Sequence, residues 1–186
     1  MTKRNLLTVI LLMLSTFAMA QSAEQLYLEG KALYDAGNFT QAVPKLKAAA
    51  EKGNKKAQYR LGRCYDKGEG VAEDNAKAFY WYLKAAAQGH AKSQFQVGRC
   101  YKKGKGVAKD PQKAFKYFMS SARQDYAPAQ IAVAKYYIKA GDTAKAKQWL
   151  LKGINNPKDG AEELEELKKE VQEGEPAATA LMKLLQ

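Results

Sequence analysis

The sequence predicts an all-α fold, a right-handed α-solenoid of stacked helix-turn-helix repeats. Three observations predict it. Residues 53–93 overlay residues 89–129 with a shift of 36 and no gaps, and a period of about 20–50 residues marks a solenoid. Within each copy, apolar residues recur every three or four positions, the period of one helical face. Glycine and aspartate fall at fixed offsets where helices must stop and start.

The chain has 186 residues, of which 46% are hydrophobic and 27% charged, enough for one domain with a core and a solvated surface. Residues 1–20 read differently from the rest. Lys3 and Arg4 precede an apolar run from Leu6 to Phe17, and Ala18-Met19-Ala20 follows as a small-x-small cleavage signal. That is the layout of a secretory signal peptide. The run is shorter than the roughly 20 apolar residues of a comfortable membrane span. The expectation is a periplasmic or secreted protein starting at Gln21, with no stable membrane anchor after cleavage near Ala20; an uncleaved anchor is the alternative. No cysteine follows the run to carry a lipid.

Removal of that segment lowers Lys plus Arg from 31 to 29 and leaves 19 acids, so a net charge of +12 becomes +10. Such a charge favours acidic protein faces, anionic envelope polymers or nucleic acid. Export argues against nucleic acid. Solubility alone is the plainer reading of the charge.

Each central copy reads as two helices. In the first, Ala57, Leu61 and Tyr65 form one apolar face. Gly68 and Gly70 end that helix, because glycine takes positive φ without a Cβ penalty. Asp74 and Asp110 are predicted N-caps of the second helices, each accepting a bond from an otherwise unpaired N–H. Pro111 follows at the first helical position, where its missing N–H costs nothing. Ala78, Trp81, Tyr82 and Ala85 give the second helix its packed face.

The flanks are shorter versions of the same unit. Tyr65 to Ala78 and Tyr101 to Ala114 each span 13 residues, whereas Leu33 to Ala42 and Tyr137 to Ala146 each span 9. The central copies therefore carry a four-residue extension in the loop between their helices. The units are predicted at about 23–53, 54–89, 90–125 and 126–155, making a repeat domain over 21–155. Residues 156–186 form two further helical stretches, expected to cap the end of the stack.

The central units resemble Sel1-like repeats. The resemblance rests on Ala57, Leu61-Gly62, Tyr65, Gly68-x-Gly70-Val71, Asp74, Lys77-Ala78, Trp81-Tyr82 and Lys84-Ala85-Ala86, most of which recur 36 residues later. The outer units resemble tetratricopeptide repeats, and together the two resemblances cover residues 23–155. Glu29 and Ser120-Ser121 depart from the pattern. What the resemblance implies is a non-enzymatic interaction module. Exported Sel1-like proteins act as sensor-kinase regulators, envelope assembly factors, host-interaction factors or toxin neutralisers. A cysteine-rich bacterial branch contains weak β-lactamases and pairs its cysteines within a repeat. This sequence has one cysteine per central repeat instead.

A solenoid presents a concave surface lined by the first helix of each unit. Helical spacing puts Tyr27, Lys31 and Tyr34 there from the first unit and Lys56, Tyr59, Arg63 and Asp66 from the second. Lys92, Phe95, Arg99 and Lys102 follow from the third, and Ile131, Lys135 and Ile138 from the fourth. The predicted groove is basic with aromatic residues between the charges, suited to an acidic, extended segment of a protein partner. Arg63 and Arg99 are the candidates for gripping carboxylates bidentately. A solvated face without a ligand is the bland alternative.

Cys64 and Cys100 occupy equivalent positions in adjacent repeats. Neighbouring helices lie about 8–10 Å apart, too far for the roughly 7 Å limit of a disulfide. They read as two small buried hydrophobes, with a bridge or a reactive thiol as alternatives. His90, the sole histidine, reads as exposed and incidental in a loop. One histidine supports no His/Cys metal cluster. No nucleophile signature accompanies it, and the Gly-x-Gly segments lack the rest of a phosphate loop. No catalytic residue, metal or cofactor is expected. The alternatives are a Sel1-like hydrolase and a basic protein binding anionic envelope polymers. The sequence leaves the oligomeric state open.

Overall fold

In a computed structural model, residues 21–186 are described, and they form ten α-helices and no strand. The export segment expected at residues 1–20 lies outside the described residues. The helices are α1 (Ala23–Asp35), α2 (Phe39–Glu51), α3 (Lys55–Lys67), α4 (Asn75–Ala87) and α5 (Ala91–Lys103). They continue as α6 (Pro111–Ala122), α7 (Ala127–Lys139), α8 (Thr143–Ile154), α9 (Gly160–Gln172) and α10 (Pro176–Lys183). Among the described residues, no helix is long and apolar enough to cross a membrane.

Local chemistry sets the helix ends. Asp74 and Asp110 cap α4 and α6, accepting from the backbone N–H of Lys77 and Lys113 at 2.9 Å each. Asp142 caps α8 in the same way through Lys145. Gly68 and Gly104 close α3 and α5 in the left-handed conformation, with φ of 69° and 73°. Pro111 stands at the start of α6.

Successive helices pack as neighbours, α1 on α2, α2 on α3, and so on to α8. The first helices lie on the inner side of the stack: α1 touches α3 across the intervening α2, and α5 and α7 line one cleft together. Glycines permit the close helix crossings within pairs. A Cβ on Gly62 would stand 2.7 Å from the Tyr82 ring, and one on Gly98 would stand 2.8 Å from Phe118.

Two further repeating devices join one pair to the next. Gln58, Gln94 and Gln130 donate from Nε2 to the carbonyls of Ala50, Ala86 and Ala122. Gln88 and Gln124 in turn donate to the Oε1 atoms of Gln58 and Gln94 at 2.8 and 2.7 Å. Buried amides must find partners, and this ladder supplies them. The second device is the loop extension, which reaches back onto the preceding pair. Gly70 lies against Phe39 and Gly106 against Asn75, so closely that a Cβ on Gly106 would sit 2.0 Å from the Asn75 carbonyl oxygen.

The two departures from the repeat pattern are accommodated. Ser121 is buried and donates to the Ala91 carbonyl at 2.8 Å. Glu29 pairs with Lys45 at 2.8 Å and accepts from Gln21.

At the far end, α9 and α10 pack on both α7 and α8. Leu167 and Leu181 bury fully among Ile131, Ala134, Ala146 and Leu150. Burial of a leucine side chain contributes on the order of 2 kcal/mol, so the tail is an integral part of the fold.

Candidate protein-binding groove

The inner layer carries the predicted groove residues, but not all of them face solvent. Lys56, Lys92, Arg99 and Lys102 are exposed, and Tyr59, Arg63 and Phe95 are half-buried. Tyr27 and Tyr34 instead belong to the core, at 7% and 8% exposure. The reason is the neighbouring helix. Lys56 lies over the Tyr27 ring at 5.7 Å, and Arg60 and Arg63 cover Tyr34 at 5.1 and 5.7 Å. The Tyr34 hydroxyl donates to the Glu69 carboxylate in the next loop. Burial and that carboxylate push its pKa well above the ordinary tyrosine value. Ile131 is buried as well, and Ile138 packs among the residues of α9 and α10.

Several predicted cations are already paired. Lys31 bonds Asp35 at 2.5 Å, and Lys135 pairs with Glu170 of α9. Arg60, which helical spacing did not bring forward, pairs with Asp35 at 3.0 Å. Its signal lay in the sequence, because Arg60 stands four residues after Lys56 on the same side of α3. Asp66 is held by Lys105 at 2.7 Å. Among the described residues, Arg63, Lys92, Arg99, Lys102 and Lys139 have no carboxylate at ion-pair distance. Lys92 rests over the Tyr126 ring at 6.0 Å. Arg99 donates to Gln96 at 3.3 Å.

The C-terminal part of this surface deepens into a cleft of about 760 Å³. Phe95, Tyr126 and Tyr136 supply aromatic lining, Arg99, Lys102 and Lys139 supply cations, and Glu163, Glu166 and Glu170 of α9 supply acids. Glu163 and Glu166 stand in the first two turns of α9, where the helix dipole favours acids. Their place in the cleft is set by the docking of Leu167, which turns that side of α9 toward α7. Burial and the neighbouring Glu162 push the Glu163 carboxyl up to about 7. Although Lys102 keeps much of its surface in water, partial desolvation by the cleft walls, with Lys135 and Lys139 nearby, holds its ammonium below the usual lysine value.

Cys64 and Cys100 are free, buried thiols in separate cores. Burial pushes each up to about 11, far from the thiolate that reactivity requires. His90 differs from the expectation of exposure. It begins α5, its ring lies 5.1 Å from Tyr59, and its Nδ1 is hydrogen-bonded to Ser93 Oγ at 2.8 Å. Burial and the cations Lys55, Lys92 and Lys56 push it down to about 4. Ser93 is fully buried, so the pair offers no accessible nucleophile. Among the described residues, no cluster of ligands suits a metal ion.

The Sel1 repeat model matches residues 55–90, 91–126 and 127–156. A Sel1 repeat protein from Oxalobacter formigenes is 36% identical, with a TM-score of 0.65 over 72% of this chain and 56% of the other. The c5321 protective antigen of uropathogenic Escherichia coli, which displays the same repeat fold, is 32% identical, with a TM-score of 0.70 over 78% of this chain and 33% of the other. This chain therefore spans about half the length of the first relative and a third of the second. No curated protein sequence matches it. Sel1 repeats form interaction scaffolds for other proteins. With three such repeats in register over an all-helical solenoid, this chain belongs to the Sel1 repeat family.

Proposed function

We propose that the protein is a non-enzymatic adaptor of the bacterial envelope, exported on residues 1–20, which captures an acidic, extended segment of a protein partner. The observation that carries this reading is the row of cations on the inner layer. Arg63, Arg99 and Lys102 stand on successive first helices beside Tyr59, Phe95 and Tyr126, with no carboxylate at ion-pair distance among the described residues. Arginine beside aromatic rings is a common interface anchor, combining directional bonds with large buried area.

The test is affinity capture from an envelope fraction, with the wild type and the Arg63→Glu/Arg99→Glu variant compared by mass spectrometry. The wild type is expected to retain an acidic partner that the variant loses, while helicity stays unchanged. Equal recovery by both rejects the groove. Export is tested separately, by mass measurement of the protein recovered from cells. A chain starting at Gln21 in the periplasm or medium is the expected result.

A further inference from the structure

The cleft beside α9 differs from the rest of the groove in carrying both signs of charge. On the α5–α7 side, Lys102 has the cations Lys135 and Lys139 near it and, acting more weakly, the acids Glu170 and Glu175. On the α9 side, Glu163 has the acids Glu162, Asp159 and Glu166 near it, offset in part by the cation Lys135. A single ion pair, Lys135 with Glu170, joins the two sides. Neither Lys102 nor Glu163 has a counter-ion at ion-pair distance among the described residues. Glu163 is half-buried and Lys102 is exposed, so the unmatched charge is costly chiefly on the α9 side.

Displacement of α9 by a partner would not resolve this. The burial of Leu167 and Leu181 holds the tail in place, so the acids stay in the cleft when a ligand arrives. A wholly acidic segment would meet Lys102 favourably and Glu163 and Glu166 unfavourably. Only a ligand carrying both signs answers both sides.

We infer that this cleft binds an extended peptide of mixed charge, with an acidic residue against Lys102 and Arg99 and a lysine or arginine against Glu163 and Glu166. The aromatic rings of Phe95, Tyr126 and Tyr136 supply apolar contact between the two ends. The inference deepens the proposed function and rests on the inner layer being the binding surface. It adds that the partner segment is not uniformly acidic.

The experiment is fluorescence anisotropy with two labelled peptides of equal length, titrated with the purified protein at neutral pH and low salt. One peptide holds glutamate and alanine alone. The other has an acidic half followed by a lysine half. The mixed peptide is expected to bind about tenfold tighter, the equivalent of one or two favourable charge contacts. Lys102→Glu should weaken the mixed peptide by a similar factor. The Glu163→Gln/Glu166→Gln variant should remove the preference by tightening the acidic peptide and weakening the mixed one. Circular dichroism of each variant controls for folding.

Equal or tighter binding of the acidic peptide to the wild type overturns the inference, as does failure of either peptide to bind. A preference that survives the double Gln variant also overturns it. The parent reading fails in a different way. If Arg63→Glu/Arg99→Glu leaves the acidic peptide's affinity unchanged, the groove is rejected whatever the cleft prefers.

Discussion

The first two junctions between helical pairs are clasped, and the third is not. At the first, the loop extension sets Gly70 against Phe39 and Glu69 against Tyr34. At the second, it sets Gly106 against Asn75 and Lys105 against Asp66. Tyr34, Asp66 and Lys102 occupy the same place at the end of α1, α3 and α5. The fourth unit lacks the extension, so no loop returns to Lys102. The glutamine ladder changes at the same junction. Asn156 stands where Gln88 and Gln124 would be expected, but it is one methylene shorter and donates to the Asp125 carbonyl at 2.8 Å. The Gln130 Oε1 is left without a partner. Four missing residues thus convert a sealed junction into an open one, and α9 supplies the far side of the resulting cleft.

The largest expected effect separates a clasp glycine from a turn glycine. Gly106 and Gly141 have similar φ, 71° and 79°, but only Gly106 faces a backbone oxygen; nothing lies within 4 Å of a Cβ on Gly141. Gly106→Ala should cost about 3 kcal/mol or more, and Gly141→Ala only the left-handed penalty of about 1 kcal/mol. Urea unfolding measures both. Equal losses would break the distinction between clasped and open junctions.

A smaller effect is expected at the open junction. The Glu163 carboxyl has an ordinary value of 4.5 and is raised to about 7 in the fold. Its folded form therefore prefers the proton. The stability it lends is full below pH 4.5 and is lost as pH rises through about 7. Glu163→Gln cannot ionise and should stabilise the protein above neutrality by about 1–2 kcal/mol after screening, with no gain in acid. A gain independent of pH would refute the charge explanation.

His90 titrates with the opposite sign. Its value falls from 6.5 to about 4, so its contribution is full above pH 6.5 and is lost as pH drops toward 4. Asn54 holds the equivalent place before α3 and caps it through the N–H groups of Lys56 and Ala57. His90→Asn should flatten the loss of melting temperature over that acid range and add a cap of about 1 kcal/mol. An unchanged acid slope would remove His90 as its source.

The smallest effect is the clasp's ion pair. A double-mutant cycle on Asp66→Ala and Lys105→Ala should give a coupling of about 0.5–1 kcal/mol, as for a partly exposed pair. A coupling near zero would leave Gly106 packing as the main clasp.

The repeat, the Asp74 and Asp110 caps and the Gly68 and Gly104 stops were legible because each depends on residues within one turn of each other. The cationic face of α3 and α5 was legible for the same reason. Tyr27 and Tyr34 were misread because a helical wheel shows which side of its own helix a residue occupies. It does not show that Lys56, Arg60 and Arg63 of the next unit will lie over that side. Ile138 is only partly buried, packed against a core to which α9 and α10 contribute Leu167, Ala178 and Leu181. The buried glutamines were visible as a 36-residue recurrence, yet their polar chemistry assigns them to the surface until their carbonyl partners are known.

By itself the sequence determined the helical unit, its boundaries and the unequal loop lengths, because short-range sterics and hydrogen bonding act among neighbours in the chain. Tertiary structure alone decided where the acids of α9 come to rest, which cations lose their water and which keep it. Those outcomes follow from apolar burial between residues far apart in sequence, such as Leu167 against Leu150, and no local pattern encodes them.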